Sequence, residues 1–375
     1  MALNQVGLER LNTATTKKIG TSKNIIINGA MNVAQRGTSS TGLGASAGYF
    51  TLDRYRTTFN ATAGRVTMEQ VADVHDGFAN ALKFSCTTAD TSVAAGEYFM
   101  LQQKIEGQDL QQLKKGSSDA EEFTVSFYVK GNASATYVVE MFDLDNTRQI
   151  SKTFSVTTNW TRVELTFPGD TTGAFDDDNA ASLQLAIWLH AGSTYSSGTL
   201  NSSAFAANTN ANRAVGISSI FDSTARTFFI TGLQLEVGSV ATDFEHRSHA
   251  QELALCQRYY YRHAFGTAEA GSSNVSNNNM AVSMVAMYTG TAGFGFIPYP
   301  VSMRALPTLE KATGTDYYRV YANGSSDQFN DISTQQFGIN GSVINYYDGF
   351  SRTQGHAGWI QIYNTNAYIA FNAEL

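Results

Sequence analysis

This sequence is short of cysteine, proline and charge. Only two cysteines occur in 375 residues, Cys86 and Cys256, far apart and neither in a Cys-x-x-Cys pair. That excludes a disulfide framework and a cysteine-rich zinc site, and reads as two buried free thiols suited to a reducing cytoplasm. Charged residues make up 15% of the chain, against about 25% in ordinary soluble domains. The formal net charge is −7, so there is no basic excess to neutralise phosphates, and nucleic acid is excluded as a partner. No apolar run approaches the ~18 residues of a membrane span, so no membrane insertion is expected. Residues 1–20 lack a basic segment followed by an apolar one, so no signal peptide is expected either. The 32 glycines follow no collagen period, and with 12% aromatic and 42% hydrophobic residues the chain is too apolar for disorder.

What is present is β patterning. Phe123, Val125, Phe127 and Val129 alternate with Thr124, Ser126, Tyr128 and Lys130, the period of a half-buried strand. Tyr137–Phe142 follows at hairpin distance. Thr161–Phe167, Leu183–Leu189 and Phe228–Val237 continue the series, and Ile25–Ile27 is a β-branched run. Turn-rich stretches separate the strands, and Gly107–Lys115 is the one helical candidate within the series. Closely spaced strands without amphipathic helices predict an all-β fold: an antiparallel jelly-roll sandwich over 23–245. Residues 1–22 read as a short N-terminal arm, the charged stretch 246–265 as a linker, and 266–375 as a smaller β-rich C-terminal domain with turn signals every 8–12 residues. The Tyr259-Tyr260-Tyr261 run is expected at a domain or subunit contact, and Trp160, ahead of a clean alternating strand, in the core.

Few motifs carry chemistry. Gly44-Ala45-Ser46-Ala47-Gly48 matches a nucleophile elbow letter for letter, but the strand–turn–helix context is missing, so it reads as a loop. His246, His249, Cys256 and His263 do not have zinc spacing. Asp176-Asp177-Asp178-Asn179 and Asp143-x-Asp145-Asn146 offer oxygens to calcium, though Asp and Asn also simply form turns. No other cofactor is expected. On the strand 183–189, Leu183, Leu185, Ile187 and Leu189 form one phase. Gln184, Trp188 and His190 share the other, joining a flat aromatic platform to hydrogen-bonding side chains. Sugars need that combination, so these three are the candidate ligand-binding residues. The plainer reading is a sheet face covered by a loop or a neighbouring subunit.

Three phrases recur as a set elsewhere. Asn24–Thr38 (NIIINGAMNVAQRGT), Gly48–Arg56 (GYFTLDRYR) and Phe229–Gln257 (FITGLQLEVGSVATDFEHRSHAQELALCQ), continued by Arg258-Tyr259-Tyr260, resemble the tail-fibre or receptor-binding proteins of marine-type tailed phages. Pro300–Thr308 resembles their C-terminal domains. The resemblance implies an N-terminal arm that docks on other virion proteins, a jelly roll similar to a carbohydrate-binding module, and a C-terminal domain that forms a homotrimer. It implies a virion protein made in the host cytoplasm, not an enzyme, that attaches the phage tail to a host-surface glycan or protein. Related sugar-binding jelly rolls often carry an aspartate calcium ligand on the last strand. Here that region reads Phe229-Ile230-Thr231-Gly232, with no carboxylate. The competing readings are an adaptor or capsid-decorating fibre without recognition, and a glycan depolymerase, whose β-helix periodicity is absent.

Overall fold

The computed structural model describes residues 23–266 and 281–375. The expected arm at 1–22, and most of the loop before residue 281, lie outside the described residues. The chain divides into two units between Arg247 and Ser248.

The first unit holds strands β1 (Ser39–Leu43), β2 (Gly48–Tyr49), β3 (Arg56–Asn60), β4 (Arg65–Val71), β5 (Ala81–Thr88), β6 (Tyr98–Glu106) and β7 (Phe123–Gly131). They continue as β8 (Ala135–Asp143), β9 (Arg148–Val156), β10 (Thr161–Phe167), β11 (Ala181–Ala191), β12 (Ala206–Ala207) and β13 (Thr227–Val237). One sheet runs β1-β4-β5-β13-β7-β10 and the other β12-β9-β8-β11-β6-β3-β2, with antiparallel neighbours. The chain steps from sheet to sheet at β1–β2, β3–β4, β5–β6, β6–β7, β7–β8, β9–β10, β10–β11 and β12–β13, which makes the unit a jelly-roll sandwich. The alternating strands point their apolar phase inward. Phe84, Phe99, Val125, Phe127, Val139 and Ile187 are almost wholly buried between the sheets.

The recurring phrases meet in a clasp. The Asn24 carboxamide accepts from Ile26 N and Leu235 N at 3.0 and 3.1 Å and donates to Leu233 O at 3.2 Å. The Glu245 carboxylate accepts from Asn24 N at 2.7 Å, and Arg247 donates to the carbonyls of Asn24 and Ile26. Asn28 takes a positive φ of 62° and bridges Val33 and Asp53. Ile25–Ile27 is therefore not a ladder strand. Ile25 N donates to the Leu235 carbonyl at 2.9 Å, and side chains hold the rest, including the Gln103 amide, which bonds both N–H and C=O of Ile27 at 2.9 Å. Gly107–Lys115 is not one helix but two 3₁₀ turns, Gly107–Asp109 and Gln111–Leu113. Trp160 is half-buried on the outer side of its sheet, with Lys130 and Phe229 against its ring, and not in the core.

The second unit begins where a linker was expected. Ser248 caps the helix His249–Gln257 in a capping box with Gln251. Strand β14 (Tyr260–Phe265) follows directly. The tyrosine run is interior: Tyr260 pairs with Asn372, the Tyr259 carbonyl accepts from Ala373 N, and Tyr261 stacks on Phe371. The remaining strands are β15 (Ala281–Met287), β16 (Ala292–Pro298), β17 (Thr308–Lys311), β18 (Tyr318–Ala322), β19 (Ser325–Phe329), β20 (Asp331–Phe337), β21 (Gly341–Tyr347), β22 (Ala357–Ile362) and β23 (Tyr368–Asn372). They form a three-stranded sheet β14-β23-β17 and a seven-stranded sheet β19-β18-β22-β15-β16-β21-β20 around their own core. Both cores close within a single chain, and Cys86 and Cys256 are free and buried.

Candidate functional site

The second sheet of the first unit has a core face and an outer face. Register fixes the outer rows. Lys104, Gln184, Phe142 and Gln149 stand abreast on β6, β11, β8 and β9. Arg56, Gln102, Ala186, Glu140 and Ser151 form the next row, and Thr58, Met100, Trp188, Val138 and Thr153 the one after. Gln184 and Trp188 therefore share this face, as their phase predicted, but a register shift between Trp188 and His190 pairs His190 with the core residue Phe99 and takes it out of these rows.

Trp188 and His190 are not open to a ligand. The segment 192–217 folds across Trp188, while Glu97, Ser219 and Phe221 enclose His190, and both residues are completely buried. Tyr195, Leu200, Ala214 and Ile217 from the covering segment pack with Met100, Val138 and Trp188. The Trp188 indole donates to Glu140 Oε2 at 3.1 Å. Glu140 is itself buried and accepts a bidentate pair from Arg213, at 2.7 and 2.8 Å. The Arg213 guanidinium lies over the rings of Trp188 and Phe142, 4.9 and 5.0 Å from their centroids. A loop over this face is the cover that the plainer reading expects; the Arg213–Glu140 pair that anchors it escapes sequence reasoning, because the two lie 73 positions apart.

His190 is engaged from both nitrogens. Ser219 Oγ lies 2.7 Å from Nδ1 and Glu97 Oε2 lies 3.2 Å from Nε2. Burial lowers the imidazole below its ordinary value against the opposing pull of Glu97. The chain Ser219–His190–Glu97 has the order of a nucleophile, base and carboxylate. Ser219 Oγ, however, also accepts from Phe221 N at 3.0 Å, and the ring is sealed edge-on against Phe221. It ties the lid segment to the sheet.

Gln184 is different. It is 7% exposed, at the margin beyond Arg213, and its amide has no hydrogen-bond partner among the described residues. Half-buried Phe142 and Lys104 flank it in register. The strip thus sets an amide beside an aromatic ring edge, a pair suited to hydroxyls on a C–H-rich ring. Phe142 and Lys104 escaped sequence reasoning because they sit on other strands, and only the register aligns them with Gln184.

The exposed acidic turns are held by local backbone bonds. Asp145 and Asp178 accept from the backbone of Asp176 and Ala180, at 3.0 and 2.8 Å. Asp143 faces a lysine. The Lys115 ammonium, 4% exposed, sits 2.6 Å from Asp143 Oδ2 and 3.3 Å from Asp170 Oδ2. It also donates to the carbonyls of Thr172 and Gly173 at 2.7 and 2.6 Å. Arg148 grips Asp170 through two nitrogens at 2.7 and 3.0 Å. Burial alone would raise the Asp170 carboxyl, but Arg148, Thr172 N and Lys115 outweigh it and hold it below the usual range. A tethered ammonium thus occupies this oxygen cage. No group of three or more potential metal ligands occurs among the described residues.

No protein-family model matches the sequence, and no curated protein does. Solved structures are similar to its larger part. One is a CBM4 domain, at 13% identity and a TM-score of 0.28 over 56% of this chain and 98% of the other. TmCBM61 in complex with β-1,4-galactotriose gives 12%, 0.31, 58% and 100%. The enzymatically active domain of tailspike protein 4 of bacteriophage CBA120 gives 12% and 0.30 over 58% of this chain but only 22% of that one. At these scores no residue role is carried over from them.

Proposed function

We propose that this chain is a non-enzymatic attachment protein of a tailed-phage virion, and that it binds host-surface glycan along the strip Lys104–Gln184–Phe142. The observation that carries the glycan reading is Gln184. Its amide makes no hydrogen bond to the protein among the described residues and reaches solvent at the margin of the lid, so a ligand hydroxyl can take the place of water there. The recurring phrases at 24–38, 48–56 and 229–260 support the virion reading. A single shallow strip binds weakly. Copies gathered in a homotrimer, several to a particle, raise avidity by orders of magnitude without any tight site. The N-terminal arm is the segment proposed to dock on other tail proteins.

The test is a glycan array probed with the full chain, paired with adsorption of phage to host cells in the presence of excess protein. Binding on the array together with blocked adsorption supports the proposal. The adaptor reading predicts neither. Release of oligosaccharide from host polysaccharide would favour a depolymerase.

A further inference from the structure

The second unit carries a cation whose bonding is incomplete. Residues 348–356 join β21 to β22, and their last turn is pinned to the β15–β16 hairpin. Arg352 N donates to Gly290 O at 2.7 Å. Met287 N donates to His356 O, and the Met287 carbonyl accepts from Gly355 N, both at 2.9 Å. The Arg352 side chain, 14% exposed, uses one end of its guanidinium. Nη1 donates to Ser351 O at 3.0 Å and lies 3.6 Å from Asp327 Oδ2, which also accepts from Ser351 N at 3.0 Å. The other edge is Nε and Nη2. Both atoms are buried, and neither has an acceptor among the described residues. Four residues on in the same turn, His356 Nδ1 is likewise buried without a partner.

Buried donors are nearly always met, and a charged donor loses the most when it is not. The Nε–H and Nη2–H of one guanidinium lie in one plane and form a fork that matches the two oxygens of a carboxylate. A water meets one such donor, whereas a carboxylate meets both. Asp327 holds the opposite end of the group, and so orients the unused edge. The hairpin tip shows what carries the acid. Tyr288 is 62% exposed, and its ring stacks on Phe294 at 4.9 Å and 29°, which leaves its other face open. Thr289 and Thr291 stand exposed on the same turn, either side of the Gly290 that Arg352 bonds. An open aromatic face, hydroxyls and a guanidinium fork on two joined turns suit a sugar ring that bears a carboxylate.

We infer that this end of the second unit binds an acidic sugar, with Arg352 taking the carboxylate through Nε and Nη2 and Tyr288 taking the ring. The site is separate from the strip at Gln184, which lies in the other unit, and does not rest on it. The test is isothermal titration of the full chain with trigalacturonate and with its neutral counterpart trigalactose. Wild type, Arg352→Gln, Arg352→Lys and Gln184→Ala are compared, with circular dichroism checking the fold. Arg352→Lys keeps the charge beside Asp327 and removes only the fork, so it tests the geometry even where Arg352→Gln fails to fold. The wild type is expected to prefer trigalacturonate by about tenfold or more, the worth of a charged hydrogen bond. Both Arg352 variants lose most of that preference, and Gln184→Ala keeps it. No preference in the wild type, or an undiminished one in Arg352→Lys, overturns the inference. A preference lost in Gln184→Ala and kept in the Arg352 variants assigns the acidic sugar to the strip, which overturns the inference and leaves the glycan reading standing.

Discussion

Lys115→Met is the sharpest test of how the first unit is held together. The substitution keeps the aliphatic stem and removes only the ammonium. Asp170 retains its two bonds from Arg148 at 2.7 and 3.0 Å. Asp143 is left with Oδ2 unpaired in a site that is 0% exposed, while its Oδ1 still accepts from Asn146 N at 3.0 Å. The carbonyls of Thr172 and Gly173 also lose their donor. Leaving one partner of a buried ion pair uncompensated costs about 3–5 kcal/mol. For a unit of this size that corresponds to a fall in Tm on the order of 10 °C. Adding Asp143→Asn to Lys115→Met removes the stranded charge, and most of the loss returns. Loss of the exposed pair Arg226–Asp222 provides the contrast, at below about 1 kcal/mol. The assay is urea denaturation followed by circular dichroism, with and without EDTA. EDTA leaves the wild-type transition in place, because an ammonium fills the cage. A loss below about 1 kcal/mol in Lys115→Met, or no rescue in the double variant, refutes the reasoning.

Three further outcomes follow from the same structure. Trp188→Ala lowers stability by about 3–5 kcal/mol, because the indole is fully buried beneath the lid; a mild effect in thermal melts would mean the lid is open in solution. Burial lowers the imidazoles of both His190 and His263, so the unfolded chain takes up more protons below its ordinary value of about 6.5. Stability is therefore full above that pH and declines as acidification passes through it toward the folded-state values. Gln at both positions flattens that slope, and an unchanged slope by differential scanning calorimetry contradicts the assignment. Asn24→Ala removes three bonds that join the entry and exit of the first unit and costs about 3 kcal/mol. Chemical denaturation checks it, and a neutral result would remove the clasp as the reason the recurring phrases travel together.

Much of the sandwich was legible because its strands are two-faced. Leu183, Leu185, Ile187 and Leu189 enter the core and Trp188 leaves it, as period-2 patterning requires. What the pattern could not show was which segment covers the second face. Arg213 and Glu140 meet across the fold, and the lid's few apolar residues, Tyr195, Leu200, Ala214 and Ile217, are spaced without a period. The supposed linker misled through its charge. The capping box Ser248-x-x-Gln251 was the available sign of a helix there, and the alternation Tyr260, Arg262, Ala264 the sign of a strand. The strip around Gln184 was half legible: the glutamine from its phase, its neighbours only from register.

Isothermal titration of the full chain with the glycan selected on the array, comparing wild type with Gln184→Ala, tests the central claim most directly. The account predicts unchanged melting and a loss of affinity of about tenfold, the size of one or two neutral hydrogen bonds to a buried amide. Equal affinity in the two proteins would contradict it.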